Sequence, residues 1–289
     1  MIPSNFDYEA PATLGDAIGL LEKYGEEAKI LSGGHSLIPM MKLRFASPER
    51  LIDINNIPGL SYIKEEKGTV KIGALIREAD VEHSELLKKY FPIFADVTKE
   101  IADPQVRNRA TIAGNLAHGD AANDQPAVML ALRASIVITG SGGSRIVPID
   151  EFFFGFYSTA IQPNEILTEI QIPIPAKGTG SAYHKLERKV GDYATAGVAV
   201  QLTLDAKGVC TAVGIGLTNV NPVPLRAVSS EAALLGKAIN KETVSQAGKL
   251  AMQACNPSSD LRGSEEYKRA MVAVLVERMV NKAAERAKI

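Results

Sequence analysis

Two short segments combine glycine with small polar side chains, which are residue types that bind anionic ligands through the backbone. The first is Ser32-Gly33-Gly34-His35-Ser36 and the second is Thr111-Ile112-Ala113-Gly114-Asn115. Glycine lets the backbone approach a ligand closely, and successive N–H groups converge on an anion. A single Gly-Gly loop is usually only a turn. Two such segments, with Ser36, Thr111 and Asn115 as neutral donors, predict that a long ligand with a central diphosphate lies between them.

Other motifs for phosphate binding or covalent catalysis are missing from the sequence. It contains no G-x-G-x-x-G fingerprint, no G-x-x-x-x-G-K-[ST] P-loop and no G-x-S-x-G nucleophile elbow. Its cysteines and histidines, none at metal-ligand spacing, are Cys210, Cys255, His35, His83, His118 and His184. A structural zinc takes four ligands, and an iron–sulfur cluster usually takes four thiolates. Any metal chemistry associated with this chain is therefore expected on another subunit.

Charge and hydropathy argue against two classes of partner. Lys plus Arg number 32 and Asp plus Glu 33, so the net charge is −1 and no basic footprint for nucleic acid exists. Residues 1–7 have neither the basic region nor the apolar run of a signal peptide. No apolar run reaches the roughly 18–20 residues that span a bilayer. We therefore expect a cytoplasmic protein without a transmembrane segment and without a nucleic-acid partner.

A β/α unit over residues 1–56 is predicted to position the first glycine segment. Its helix has an apolar stripe formed by Leu14, Ala17, Ile18 and Leu21. Thr13 is the expected N-cap of that helix. The other predicted elements of the unit are strand 29–31, helix 37–45 and strand 51–54. Turn residues at 56–59 mark its end.

A second lobe is predicted over residues 57–176 and a separate domain over 177–289. Asp124 is the expected N-cap of a short helix, and a hairpin is expected within 135–147. Further predicted elements are strands 69–73 and 166–174, helices 78–89 and 91–102, C-terminal strands 198–204 and 209–217, and C-terminal helices 229–236, 241–254 and 264–287. The fold class is therefore α+β, with two lobes followed by a domain of antiparallel strands packed with helices.

Three motifs together resemble one known family. They are SGGHSLIPMMKLR (Ser32–Arg44), IADPQVRNRATIAGN (Ile101–Asn115) and KLERKVGDYATA (Lys185–Ala196). In order and spacing they are similar to the FAD-binding medium subunits of aerobic, molybdenum-containing carbon monoxide dehydrogenases, and more broadly to xanthine oxidase family flavin subunits. The resemblance covers nearly the whole chain. It implies a PCMH-type FAD-binding domain over 1–176 and a CO dehydrogenase flavoprotein C-terminal domain over 177–289.

The resemblance also implies roles for particular residues. Ser32, Gly33, Gly34, His35 and Ser36 would form the first diphosphate loop, and Thr111, Ile112, Ala113, Gly114 and Asn115 the second. Asp124 matches an acidic position on the adenosine side of FAD, and Lys185 matches a lysine near the pyrimidine end of the flavin. Ile101 and Tyr193 match residues packed against the flavin ring, and Leu167 matches a position whose backbone meets it.

Simpler interpretations exist for several of these residues. Asp124 is explained by helix capping alone, Lys185 by a solvated charged run, and Tyr193 by a hairpin core. The sequence also departs from the family pattern at Ser32, where alanine is commoner, and at Ala113, where glycine is commoner. If position 113 required a positive φ, alanine would cost about 1 kcal/mol there; otherwise nothing is lost.

The function implied by the resemblance is electron transfer by one non-covalently bound FAD, with no catalytic acid or base on this chain. A small partner subunit would hold two [2Fe–2S] clusters. A large subunit would hold molybdenum-molybdopterin cytosine dinucleotide and oxidise CO with water to CO2. A quinone-type molecule would be the acceptor. A dimer of heterotrimers, peripheral at the inner face of the cell membrane, is the implied assembly.

Three alternatives to this function remain open at the level of sequence. The large subunit would instead oxidise an aldehyde, a purine or an N-heteroaromatic compound, with the flavin role unchanged. The chain would be a stand-alone FAD-dependent oxidoreductase with its own substrate pocket. Or it would be an assembly module that has lost its flavin.

Overall fold

A small parallel sheet organises the N-terminal lobe. In the computed structural model, which describes residues 2–288, the strands are β1 (Asp7–Glu9), β2 (Ala28–Leu31) and β3 (Arg50–Asp53), in the order β1-β3-β2. Helix α1 (Leu14–Tyr24) buries its predicted apolar stripe in the core of this lobe. The hydroxyl oxygen of Thr13 accepts a hydrogen bond from the Asp16 N–H, which confirms the predicted N-cap.

Helix α2 (Leu37–Lys42) follows the first glycine segment and is shorter than predicted. We expected it to continue to residue 45, but Arg44 has a φ of +61°, which a right-handed helix cannot contain. This helix end was not predictable from the residue type, because arginine rarely adopts a positive φ. The helix end turns the chain so that residues 45–48 line the cleft described below.

The second lobe is built on an antiparallel sheet with the order β4-β5-β10-β6-β7. Its strands are β4 (Ile63–Glu66), β5 (Thr69–Gly73), β6 (Ser135–Gly140), β7 (Gly143–Pro148) and β10 (Ile166–Pro173), with the two-stranded ribbon β8 (Phe153–Gly155) and β9 (Ser158–Thr159) beside it. Its helices are α3 (Glu78–His83), α4 (Glu85–Tyr90), α5 (Ile93–Glu100), α6 (Pro104–Arg107), α7 (Ile112–His118) and α8 (Asp124–Leu132).

Two helix predictions in this lobe need correction. The single helix predicted over 78–89 is two helices, because Ser84 leaves the helical conformation and caps α4 through its hydroxyl oxygen. Asp124 is not an N-cap. Asn123 occupies the capping position, and Asp124 is the first residue of α8.

The C-terminal domain is an antiparallel sheet between two groups of helices. The strands are β11 (Thr179–Leu186), β12 (Ala196–Leu204), β13 (Cys210–Thr218) and β14 (Leu225–Arg226), and the helices are α9 (Val228–Leu234), α10 (Lys241–Ala254) and α11 (Glu265–Ala287). One face packs on α10 and α11 through residues such as Val198 and Val200. The other face, which includes Tyr183 and Ala199, joins the core of the second lobe.

Glycines allow α8 to lie directly on this second face. A Cβ on Gly214 would lie 2.1 Å from the carbonyl oxygen of Ala131, and one on Gly216 would lie 2.0 Å from that of Ala127. Because side chains alternate along a strand, Tyr183 and Lys185 of β11 point toward the same face. The C-terminal sheet therefore sends a phenol and an ammonium group toward the start of α8.

The structure confirms the α+β fold class, with helices and sheets in each of the three regions. Three buried clusters form the cores of the N-terminal lobe, the second lobe and the C-terminal domain. Among residues 2–288, no helix is long and apolar enough to cross a membrane.

Candidate cofactor-binding site

The first glycine segment connects β2 to α2 and owes its shape to two glycines. Gly34 has a φ of +75°, in the region that L side chains rarely adopt. Gly33 is buried against the second segment: a Cβ there would lie 2.7 Å from both the Ala110 Cα and the Arg109 carbonyl oxygen. Gly33 therefore permits contact between the two lobes, and Gly34 permits the turn.

His35 closes the same segment on itself. Its Nδ1 lies 2.9 Å from the Gly33 carbonyl oxygen, which can only accept, so Nδ1 carries the proton in this bond. The ring also lines the cleft between the segments. His35 therefore both bonds to the backbone of its own segment and lines the cleft.

The second segment is the first turn of helix α7 rather than a loop. Thr111 is the N-cap, and its hydroxyl oxygen accepts a hydrogen bond from the Gly114 N–H at 3.1 Å. Ala113 is the second residue of the helix and is not among the residues with positive φ. Alanine therefore costs no backbone strain at this position, and it is the better helix former of the two residues.

Side chains join the two segments on the side that faces the ligand cleft. The hydroxyl oxygens of Ser32 and Thr111 lie 3.1 Å apart. A Cβ on Gly114 would lie 2.6 Å from the Thr111 hydroxyl oxygen and 3.1 Å from that of Ser32. Ser32, where the family commonly has alanine, thus adds a hydrogen bond between the lobes.

A cleft of about 600 Å³ runs between the lobes, and both segments line it. Among the predicted site residues, its walls contain Ser32, Gly33, Gly34, His35, Ser36, Thr111, Gly114 and Asn115. An adjoining cleft of about 320 Å³ shares Ser32 and Gly114 and adds Ala113 and Leu167. Ile112 points away from both clefts and is fully buried in the core.

Several wall residues were not predicted from the sequence. Lys29, Met40, Phe45 and Tyr157 line the larger cleft together with His118, which the sequence placed close to the second segment. The rings of His118 and Tyr157 have centroids 4.8 Å apart. No motif indicated Tyr157, because it lies more than 40 residues from either glycine segment. Its backbone has a positive φ of 53°.

Tests of fit favour a flavin dinucleotide in this place. Asn115 lines the cleft, and its buried Oδ1 has no hydrogen-bond partner among the described residues. A buried acceptor without a partner is costly, and a ligand hydroxyl or amino group would satisfy it. Because the glycines have no side chains, the oxygens of a diphosphate could come close to the backbone N–H groups here. The residues present therefore fit FAD.

Asp124 and Lys185 are brought together, but away from both clefts. Lys185 Nζ donates to Asp124 Oδ2 at 3.0 Å and to the Asp192 carbonyl oxygen at 2.8 Å. The Tyr183 hydroxyl donates to Asp124 Oδ1 at 2.5 Å. Lys185 is 2% exposed, so its interpretation as a solvated surface charge is wrong. Burial raises the pKa of Asp124 to about 6, although Lys185 and Tyr183 both lower it.

Ile101 and Tyr193 lie in two segments that contact each other. Ile101 is buried, and a Cβ on Gly191 would lie 2.8 Å from the carbonyl oxygen of the neighbouring Ala102. Tyr193 is 43% exposed, so its interpretation as hairpin core is wrong. Arg262 lies over its ring, with Cζ 5.5 Å from the centroid. Neither Ile101 nor Tyr193 lines the two clefts.

A shared carboxylate links Tyr193 to the wall of the larger cleft. Burial and the nearby charge of Asp120 raise the pKa of the Tyr193 hydroxyl. The same two causes raise the pKa of Tyr157 to about 12. The Tyr157 hydroxyl donates to Asp120 Oδ2 at 3.5 Å, so Asp120 contacts the cleft wall directly.

The family models match two consecutive parts of the chain. The FAD binding domain in molybdopterin dehydrogenase matches residues 4–175. The CO dehydrogenase flavoprotein C-terminal domain matches residues 181–283. Together with the glycine segments and the cleft, they define the class as a flavin-binding subunit of an oxidoreductase.

Individual relatives are similar over the whole length. The carbon monoxide dehydrogenase medium chain of Hydrogenophaga pseudoflava is 50% identical over 98% of each chain, and that of Afipia carboxidovorans is 46% identical over 100% of each. A solved structure of the Hydrogenophaga pseudoflava enzyme, described as lacking the Mo-pyranopterin moiety of its molybdenum cofactor, superposes with a TM-score of 0.97. It is 51% identical over 99% of each chain.

The chain belongs to the family of FAD-binding medium subunits of molybdenum-dependent dehydrogenases, and its cofactor is FAD. The resemblance recognised in the three sequence motifs is thereby confirmed. Among residues 2–288, no group of three or more His, Cys, Asp or Glu side chains could hold a metal ion.

Proposed function

We propose that this chain is the flavin subunit of an aerobic carbon monoxide dehydrogenase and binds one FAD non-covalently in the cleft between its lobes. The observation that carries the proposal is the contact between the two glycine segments above a cleft of about 600 Å³. The identities of 50% and 46% to two carbon monoxide dehydrogenase medium chains support the choice of CO among possible substrates of the complex.

The diphosphate of FAD is assigned to the two glycine segments. Backbone N–H groups of Gly33 to Ser36 and of the first turn of α7 would donate to the phosphate oxygens. The side chains of Ser36, Thr111 and Asn115 add neutral donors, which bind an anion without leaving a buried charge unpaired in the free chain. His35 and Ser32 then shape the segment from within.

The flavin ring is assigned to the side of the site where Leu167 and the Ile101 and Tyr193 segments lie. Leu167 lines the adjoining cleft, next to Ala113 and Gly114. The resemblance gave Asp124 a role on the adenosine side, but its bond to Lys185 leads us to assign both residues indirect roles at the flavin end. Because Lys185 holds the carbonyl group of Asp192, it fixes the segment that carries Tyr193.

When bound, FAD would take electrons from two [2Fe–2S] clusters of a small partner subunit and deliver them to an external quinone-type acceptor. The remaining partner would be a large subunit with molybdenum-molybdopterin cytosine dinucleotide, in a dimer of heterotrimers. The molybdenum cofactor named for the Hydrogenophaga pseudoflava structure supports this division of labour. We also assign the complex to the cytoplasm, peripheral at the inner face of the membrane.

The division into a domain over 1–176 and another over 177–289 is part of the same proposal. The hydrophobic clusters support it, since the cluster around α10 and α11 draws its residues from position 182 onward. Tyr183 and Ala199 belong instead to the cluster of the second lobe, so the two domains share an extensive contact.

The decisive experiment is to purify the native complex and to measure flavin, iron and molybdenum together with CO oxidation. We expect one FAD for each copy of this chain and CO-dependent reduction of an artificial acceptor. A complex that contains molybdenum but oxidises only an aldehyde or an N-heteroaromatic compound would overturn the assignment to CO. A chain that stays colourless after purification with added FAD would overturn the flavin role.

A further inference from the structure

A hydrogen-bonded pair of side chains, Asn55 and Arg77, lies behind the two glycine segments. Asn55 follows β3 of the N-terminal lobe, and Arg77 precedes α3 of the second lobe. Neither residue lines either cleft. Both are partly buried, and Arg77 Nη2 donates to Asn55 Oδ1 at 2.6 Å. The pair therefore joins the two lobes without facing the ligand.

Each member of this pair also binds the backbone of one segment. Asn55 Nδ2 donates to the Ser32 carbonyl oxygen at 2.9 Å. Arg77 Nη1 donates to the Arg109 carbonyl oxygen at 2.7 Å. A Cβ on Gly33 of the first segment would lie 2.7 Å from that same Arg109 carbonyl oxygen. The pair thus connects the backbone at Ser32 with the backbone at Arg109, close to where the two segments touch.

The orientation of the Asn55 amide follows from its partners. The Ser32 carbonyl can only accept and a guanidinium can only donate, so the nitrogen must face Ser32 and the oxygen must face Arg77. Asp53 fixes the amide further, because its Oδ1 accepts from both the Asn55 N–H, at 2.8 Å, and Nδ2, at 2.6 Å. The side chain therefore has a single arrangement in which all its partners are satisfied.

Arg77 is held as firmly through its backbone. Residues 76–78 pair with 110–112: Ile112 N–H donates to the Ile76 carbonyl oxygen, and Glu78 N–H donates to that of Ala110. Backbone hydrogen bonds thus fix Arg77 next to the residues where the second segment begins. A shift of that segment relative to the first would therefore have to stretch the bond to Asn55.

We propose that Asn55 and Arg77 are positioning residues that set the separation of the two glycine segments and thereby pre-organise the diphosphate site of FAD. The inference rests on the proposed function, since it assigns FAD to this cleft. Binding to a site that is already ordered avoids the cost of ordering it, and this cost appears in the affinity. Apart from this pair, the segments are joined by the Ser32–Thr111 hydrogen bond and by the packing of Gly33 against residues 109–111, and neither of these contacts involves a charged group.

The test is FAD affinity of the full chain after removal of its flavin, measured by fluorescence titration alongside the thermal unfolding of the FAD-free chain. We expect Arg77→Met to raise the Kd for FAD by about 10- to 100-fold, since a hydrogen bond to a charged group is lost at each of two partners. The same bonds are present in the FAD-free chain, so its unfolding temperature should also fall, but no further than in the control variant. Arg50→Met is the matched control, because Arg50 also binds two partners in the N-terminal lobe, Asp7 and Glu9.

Arg77→Lys separates positioning from simple attraction between charges. Lysine keeps the positive charge, but its single ammonium group cannot hold Asn55 and the Arg109 carbonyl in the fork geometry of a guanidinium. We expect it to bind FAD nearly as weakly as Arg77→Met. Recovery of normal affinity in Arg77→Lys would overturn the proposal in favour of long-range attraction to the diphosphate.

A double variant completes the test. If Asn55 and Arg77 act as one unit, Asn55→Ala combined with Arg77→Met should bind FAD about as weakly as the weaker single variant. Additive losses would overturn the proposal. Failure of the unmodified chain to bind FAD would refute the proposed function itself, whereas equal affinities of the unmodified chain and Arg77→Met would refute only the role of the pair.

Discussion

The two glycine segments and the Asp124–Lys185 pair differ in how their residues work. The segments act through backbone conformation, with Gly33 and Gly34 enabling close approach, and most of their residues line the cleft. Asp124 and Lys185 act through buried charge, lie outside both clefts and bind each other. The residues that match the family pattern are thus of two kinds, those that line the cleft and those that lie outside it and hold other segments in place.

The strongest challenge to this comparison is Gly34→Asp. Aspartate at a φ of +75° is strained, its Cβ would lie 2.8 Å from Ile38 Cδ1, and its carboxylate would repel the phosphates. We expect no measurable FAD binding by absorbance after reconstitution. Gly59→Asp is the matched control, because Gly59 has a φ of +80° but open space around it. An unchanged flavin spectrum in Gly34→Asp would refute the assignment of the first segment.

Lys185→Met tests the second region. It leaves Asp124 buried without its cation, and breaking a buried pair in this way costs about 3–5 kcal/mol of folding free energy. We expect this loss in urea unfolding, while the Kd for FAD changes less than in Gly34→Asp. Lys282→Met is the control, since Lys282 also pairs with an aspartate, Asp96, but is 39% exposed and should lose no more than about 1 kcal/mol.

The pH dependence of the same variant provides a further check. Burial raises the pKa of Asp124 to about 6, so between about pH 4 and 6 the folded chain keeps a proton that the unfolded chain has released. The contribution of Asp124 to the free energy of unfolding therefore falls as pH rises through this window. Without Lys185, which lowers this pKa, the fall should extend above pH 6. Loss of FAD binding with unchanged stability would instead place Lys185 in contact with the flavin.

The sequence predicted the first region better than the second for a physical reason. Glycine segments and caps such as Thr13 depend on neighbours within a few residues, so local patterns reveal them. The burial of Lys185 depends on contact with α8, about 60 residues earlier in the chain, and the charged run around it suggested the opposite. The alternation of β11 does place Tyr183 and Lys185 on one face, but only the packed structure identifies which face is buried.

The roles of Asn55 and Arg77 could not be predicted from the sequence either, because they too depend on distant residues. Neither lies in one of the three motifs, and their partners Ser32 and Arg109 are 23 and 32 residues away. The same holds for Tyr157, whose place in the cleft wall requires the packing of β9, the partner strand of β8, beside α7. Residues that face a ligand through side chains from distant elements leave no local pattern in one sequence.

The smallest effect is expected for Ala113→Gly, which restores the residue commoner in the family. Position 113 is helical, so glycine gains nothing from its freedom at positive φ and destabilises α7 by about 1 kcal/mol. FAD affinity should stay within about twofold of the unmodified chain, because the Ala113 side chain is 3% exposed and the diphosphate is assigned to backbone groups. Titration of both forms with FAD, together with urea unfolding, measures the two quantities. A large gain in affinity on introducing glycine would mean that the backbone at 113 must leave the helical conformation to bind FAD. Both glycine segments would then need glycine in order to bind the ligand, and not only in order to pack against one another.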